Sequence, residues 1–408
     1  MSSATYRTLL RTPGAAAFFL TATTGRLGIA MTGLGIIWLV HDRTGSYAAA
    51  GLVTGGFAVA EALAGPQLAR LIDRFGQTRV LPPVLLAHAT AVVTLLTLVE
   101  NGSPRGLLTA AGVLVGATIP QLGALSAARW SALLRGERAA SLPTAFALES
   151  LGNGLCYLAG PALVTAVGAG SDPAYGMALA TALVIGGGLA LAAQRGTAPP
   201  MSGAAERKGA GRSLRRPGFA VQVGVNLCLG LYFGAMQVSV AAFAVERGAA
   251  DAPLYMVSNC AGLLAGWLYG LRRWRVAPQL QLAMLSAGLA VSCLPLLVVG
   301  SLPEAGLALA FTGMAIPPIL VLSSVLTAAA VERAALTQAF TWLNSASAAG
   351  SAGAAAMSGR AVDAYGAHGG FAIAAAAAVA MAVPAAVRAH TLRARRIGSG
   401  LPPRPPTR

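Results

Sequence analysis

Apolar stretches of roughly 20 residues recur along this chain, each long enough to cross the hydrocarbon core of a bilayer as a helix, and about twelve can be counted. With 56% hydrophobic and only 10% charged residues over 408 positions, the chain carries too little charge to cover a soluble globule of its size. The sequence therefore predicts an all-α integral membrane protein. A leading apolar run follows Arg7 and Arg11, but it is too long for a signal-peptide core and lacks a cleavage site, so it is expected to remain as the first span.

The expected spans cover 15–40, 48–69, 80–99, 106–134, 145–167 and 175–193, then 219–245, 254–271, 280–300, 302–331, 339–357 and 371–387. Between the sixth and seventh lies a segment rich in Gly, Ala, Pro, Arg and Ser with no periodic apolar face, which reads as a flexible basic linker. The expected organisation is a six-helix bundle over 1–194, a linker over 195–217, a second six-helix bundle over 218–390 and a disordered tail over 391–408.

The formal net charge is +16, and its placement decides what it means. About 24 of the 29 Lys and Arg fall in loops on one side, whereas Asp42, Glu100, Asp172, Glu246, Asp251, Glu304 and Asp363 lean to the other. Basic short loops stay in the cytoplasm, so the asymmetry is a topology signal and not a nucleic-acid footprint. Both termini and the linker are expected in the cytoplasm of a cell-membrane protein.

The two halves repeat. Gly116-Ala-Thr-Ile119-Pro120, with Leu125-Ser126 beyond it, returns as Gly313-Met-Ala-Ile316-Pro317 with Leu322-Ser323 at the same offsets. Glu137-Arg138 returns as Glu332-Arg333, and Phe146 as Phe340. The loop after the second span, Leu71-x-Asp73-Arg74-x-Gly76-x-x-Arg79-x-Leu81, has a decayed partner in 266–275 that has lost its acid.

That loop resembles the signature between the second and third helices of the major facilitator superfamily of transporters. It departs from it in having Ala69 for a Gly, and in lacking basic residues at Gln77 and Thr78. The resemblance, together with two parallel six-helix copies, implies a substrate site between halves that rock against one another. It also implies that Asp73, with Leu71, Arg74, Gly76 and Arg79, sits against a helix end of the opposite half and latches one side. Gly152-x-Gly154 and Gly160-Pro161 partly resemble a motif of the family's antiporters in which Gly and Pro bend the fifth helix and let it pack tightly. The type most resembled is the bacterial twelve-helix drug:proton antiporter.

Ionisable groups inside a membrane span cost roughly 2.5–3.5 kcal/mol each on insertion scales, so each calls for a partner or a function. Arg26, Glu61 and Glu149 are the three found within expected spans of the first half. One cation facing two acids leaves one Glu over, and a lone Glu there is better neutral than charged, which suits a proton carrier; the alternative is a structural ion pair. Asn226, Gln237, Trp342 and Asn344 are candidate cavity residues, with helix packing as the alternative for each. Arg129-Trp130 is expected to anchor a helix end at the membrane interface, and His88 to lie on a peripheral helix.

Cys156, Cys228, Cys260 and Cys293 lack metal-like or CxxC spacing. No phosphate-binding loop, metal cluster or nucleophile triad appears, so neither a cofactor nor an enzyme is expected. The function expected is a monomeric secondary transporter that moves a small organic molecule by alternating access, with protons as coupling ion and efflux as direction. The alternatives are an uptake or facilitative permease of the same fold, or a non-transporting sensor or scaffold.

Overall fold

A computed structural model describes residues 6–169, 172–200, 211–249, 251–272 and 274–398, and every regular element among them is a helix. A short α1 (Tyr6–Leu10) precedes the spans α2 (Ala15–Thr44), α3 (Tyr47–Phe75) and α4 (Gln77–Glu100). The fourth span is divided into α5 (Arg105–Thr118) and α6 (Leu122–Leu133), and α7 (Leu142–Ala169) and α8 (Pro173–Ala193) complete the first half. The second half comprises α9 (Pro217–Glu246), α10 (Ala252–Leu271), α11 (Pro278–Cys293), α12 (Leu302–Ala330), α13 (Leu336–Tyr365) and α14 (Ala367–Gly398).

Local chemistry sets several of these boundaries. Gly45 closes α2 at φ 62, Ser46 caps α3 by accepting the Ala49 N–H, and Asp172 caps α8 ahead of Pro173. Between α3 and α4 the chain reverses at Gly76 with φ 90, a conformation that only Gly adopts without strain.

Among the described residues ten helices are long and apolar enough to cross a membrane, and α14 carries a shorter apolar stretch over 367–383. The 30-residue α13 completes twelve spans; its Ala, Ser and Gly lower its hydropathy but let it lie closely against α9. Side chains at Gly230 or Gly234 would run into the backbone of Ser347 or Ser351, so the α9–α13 seam is built on the absence of a Cβ.

The packing repeats as the sequence does. In the first half α2 packs on α7 and α8, α3 on α5, and α4 on α5 and α8; in the second α9 packs on α13 and α14, α10 on α12, and α11 on α12 and α14. The halves meet along two matched seams, α3 with α13 and α7 with α10. The architecture is thus two pseudo-symmetric bundles of six spans.

Symmetry fails at the prolines. Ile119-Pro120-Gln121 is non-helical and splits α5 from α6, whereas α12 runs unbroken through Pro317 and Pro318. At the chain end, α14 continues to Gly398, so the first eight residues of the tail expected to be disordered are helical, and 399–408 lie outside the described residues. Residues 201–210 of the expected linker also lie outside them, while Arg195–Thr197 form a single 3-10 turn.

Candidate functional site

Arg26 on α2 and Glu149 on α7 form an ion pair, Nη1 to Oε2 at 2.6 Å, with the two side chains only 8% and 10% exposed. The carboxylate is held from its other oxygen as well: Ser126 Oγ donates to Oε1 at 2.5 Å and Trp130 Nε1 donates to it at 2.8 Å. Ser126 and Trp130 stand one turn apart on α6 and present one face to Glu149. Arg26 also donates to Thr23 Oγ1 at 3.0 Å, while its Nε is buried without a partner. Three donors on one buried carboxylate, one of them a guanidinium, fix its orientation between α2, α6 and α7.

Glu61 on α3 stands apart from this pair. It is half-buried and has no ion pair among the described residues; its partner is Gln121, whose Nε2 donates to Oε1 at 3.1 Å. Gln121 belongs to the non-helical step between α5 and α6, and its Oε1 faces Asn344 Nδ2 of α13 at 3.5 Å. A polar line thus runs from an acid of the first half, through the break, to an amide of the second. Tyr157 on α7 lies within electrostatic reach of Glu61 and Arg26, and its side chain is exposed.

The remaining candidates divide. Asn226 is buried within the second half and donates to Ser323 Oγ at 2.7 Å; Ser323 is the repeat of Ser126. Gln237 is exposed, its carbonyl accepting from Tyr255, and Trp342 is 40% exposed on α13. Gly152 and Gly160 of α7 face α2, where a Cβ would lie 3.1 Å from the Phe19 ring and 2.9 Å from Ala30 Cβ; Gly154 faces Leu263 of α10. The α7 helix continues through Pro161. His88 is fully buried, beside Thr118 at 3.4 Å.

At the basic-loop face, Asp73 accepts the backbone N–H of Gln338 at 3.0 Å and is also bonded by Thr337. The acid of the first half therefore caps the N-terminus of α13 in the second, where a carboxylate meets the positive end of the helix dipole. Arg74 lies over the Phe75 ring at 4.9 Å, and Leu71 and Arg79 line a shallow apolar groove beside it. The matched seam carries a contact that sequence reasoning missed: Thr144 Oγ1 donates to Gly270 O at 2.9 Å, and Tyr6 OH donates to Trp267 O at 3.0 Å. Burial pushes the Tyr6 phenol up to about 12, so it remains a donor at any ordinary pH. Phe146 and Phe340, the repeated pair, meet across the halves with ring centroids 5.8 Å apart.

Arg129 and Trp130 are not interface anchors. Arg129 is fully buried and donates to Gln77 Oε1 at 2.7 Å, to the carbonyls of Leu191 and Gln194 at 2.9 and 3.0 Å, and to Thr197 Oγ1 at 2.7 Å. A guanidinium at the carbonyl end of α8 satisfies orphan acceptors and the helix dipole together. Trp130 belongs to the Glu149 cluster. Both face inward, Arg129 towards the start of α4 and the end of α8 and Trp130 towards Phe18 of α2 and Glu149 of α7, which no apolar periodicity of an all-apolar helix encodes. No group of three or more His, Cys, Asp or Glu that could hold a metal ion occurs among the described residues.

Two parallel six-helix bundles, closed at the basic-loop face by contacts between their helix ends and carrying buried charge at depth, define a membrane transporter fold. The chain belongs to the major facilitator superfamily, whose family model matches residues 18–315. Among curated proteins, none matches by sequence. Solved structures share the fold at low identity. A bacterial homologue of the iron transporter ferroportin in an outward-facing state is 11% identical with a TM-score of 0.72, covering 91% of this chain and 98% of that one. The human organic anion transporter MFSD10 is 15% identical with a TM-score of 0.66, again over 91% and 98%. The E. coli fucose:proton symporter FucP is 16% identical with a TM-score of 0.66, over 92% and 97%.

Proposed function

We propose that this chain is a proton-coupled secondary transporter that exports a small organic molecule by alternating access, with Glu61 as the residue that exchanges the proton. The observation that carries the reading is the division of partners among the three charges within the spans of the first half. Arg26 is engaged by Glu149, which leaves Glu61 as the acid without a cation. A carboxyl group that meets an amide and no cation among the described residues can hold or release a proton as its surroundings wet and dry, whereas one gripped by a guanidinium, a hydroxyl and an indole is committed to that cluster. Gln121 and Asn344 supply the link to the opposite half, so opening between α3 and α13 changes what Glu61 faces.

The chain would work as a monomer in the cell membrane, with the basic face and both termini in the cytoplasm. Cysteine labelling from outside, on a Cys-free background, is expected at Ser103 and Asp172 and not in the linker; the reverse pattern would overturn the orientation. The relatives in structure include a symporter by its own description, so direction is read from the experiment. In proteoliposomes with an imposed pH gradient, screened with dyes, antibiotics and sugars, the native protein drives its substrate uphill. Glu61→Gln is expected to keep substrate binding and downhill exchange and to lose the response to the gradient. Uphill transport by Glu61→Gln, driven by protons alone, would end the assignment.

A further inference from the structure

At the basic face the two halves enclose a hollow of about 510 Å³, lined by polar groups that include Asp73, Gln77, Arg135, Glu332, Arg333 and Thr337. Most of these are occupied. Asp73 caps α13, Gln77 is held by Arg129 and by the Leu125 carbonyl, and Glu332 pairs with Arg216 at 3.5 Å. Arg135 follows α6 in the first half and Arg333 follows α12 in the second; neither has an ion pair among the described residues. Arg135 Nε is shielded from water and has no hydrogen-bond partner. Burial, and then the charge of Arg333, disfavour the charged form of Arg135, so the two guanidiniums sense one another across the seam.

Two like charges brought together from opposite halves, one of them with a desolvated donor left open, are unfavourable unless something anionic lies between them. We propose that this hollow is a binding site for a phosphate-class oxyanion, gripped by Arg135 of the first half and Arg333 of the second. Guanidinium forks match the paired oxygens of such a group, and the hollow has room for more than the bare ion. Because each half supplies one arginine, the bound anion bridges the halves and favours the state in which the basic face is shut. The anion would act as a brake set from the basic side and independent of the transported substrate. The proposal stands on the seam between the halves and does not rest on proton coupling through Glu61.

The same chemistry could arrive as free phosphate or as an anionic lipid headgroup, and the experiment separates them. Inorganic phosphate is titrated calorimetrically into the full-length protein in neutral detergent, against chloride at matched ionic strength, for the native chain, Arg135→Gln and Arg333→Gln. Saturable phosphate binding is expected, weakened by at least about tenfold in each variant, as loss of one charge-assisted partner requires. Both variants should melt like the native protein in chloride, since neither guanidinium has a protein partner to lose. If phosphate gives no saturable signal, melting is repeated in nanodiscs with and without phosphatidylglycerol; stabilisation that both variants abolish assigns the site to a headgroup. No effect of either anion, or equal effects in native and variant proteins, overturns the proposal.

Discussion

At the scale of single residues, Arg26 and Glu149 hold one another while Glu61 meets an uncharged amide. Glu149 is held by Arg26, Ser126 and Trp130, so Glu149→Gln leaves a guanidinium buried without a counter-charge. Removing one partner of such a pair costs about 3–5 kcal/mol, and the variant should melt well below the native protein in detergent. Arg26→Met combined with Glu149→Gln removes the orphan and should recover most of that loss; no recovery would mean that the pair is not what stabilises α2 against α7. Glu61→Gln, whose partner is an uncharged amide, should melt near the native temperature. Arg26, Glu61 and Glu149 were legible in the sequence because charge inside a span is conspicuous against Ala and Val. Which Glu takes the Arg was not, since that depends on how α3 and α7 are rotated about their axes, and a helix apolar on all sides carries no record of its rotation. Trp130 escaped for the same reason, as a Trp near a span's end looks like an interfacial anchor.

At the scale of elements, close approach replaces hydrophobic contrast. Lipid tails are as apolar as the helices, so what holds α13 to α9 is proximity, and Gly230, Gly234 and Gly350 permit it. Gly230→Val drives a branched side chain into the Ser347 carbonyl and should destabilise the fold by about 1–3 kcal/mol, as overpacking generally does. Expression and detergent melting of that variant are the checks; unchanged melting would show that the seam can open without cost. Gly224 faces open space on the same helix and Gly224→Val should be tolerated. The small residues of α13 are visible in the sequence, but which helix they face is not. Pro120 lies in the break after Thr118, yet the identical Ile-Pro step leaves α12 intact, so the proline alone does not decide it. The two sites differ in their surroundings: Gln121 beyond the first step turns to Glu61, and at the second Gly262 and Gly266 of α10 make room for Pro317.

At the scale of the whole molecule, the halves are fastened at one face by two latches of different chemistry. In one the Asp73 carboxyl group accepts from the α13 terminus, while in the other the Thr144 and Tyr6 hydroxyls donate to the carbonyl end of α10. The sequence disclosed the first through its loop pattern and showed that the matching loop over 266–275 had lost its acid; the hydroxyl donors that replace it come from residues more than 120 positions away. Asp73→Asn weakens a cap worth about 0.5–2 kcal/mol, enough to shift a balanced two-state switch severalfold. Turnover should fall more than substrate affinity, and a single cysteine placed at Ala132 should label faster from the basic side. Equal rates in the two proteins would leave the loop with topology as its role.

One bundle buries the Arg26–Glu149 ion pair where the other joins Asn226 to Ser323, and that difference bears on how such a molecule can change. A duplicated architecture that keeps its ionisable chemistry in one copy frees the other to drift. Residues of α9 to α14 can then be altered without disturbing the buried ion pair of the first bundle, much as a machine can be refitted with another tool while its frame is left alone.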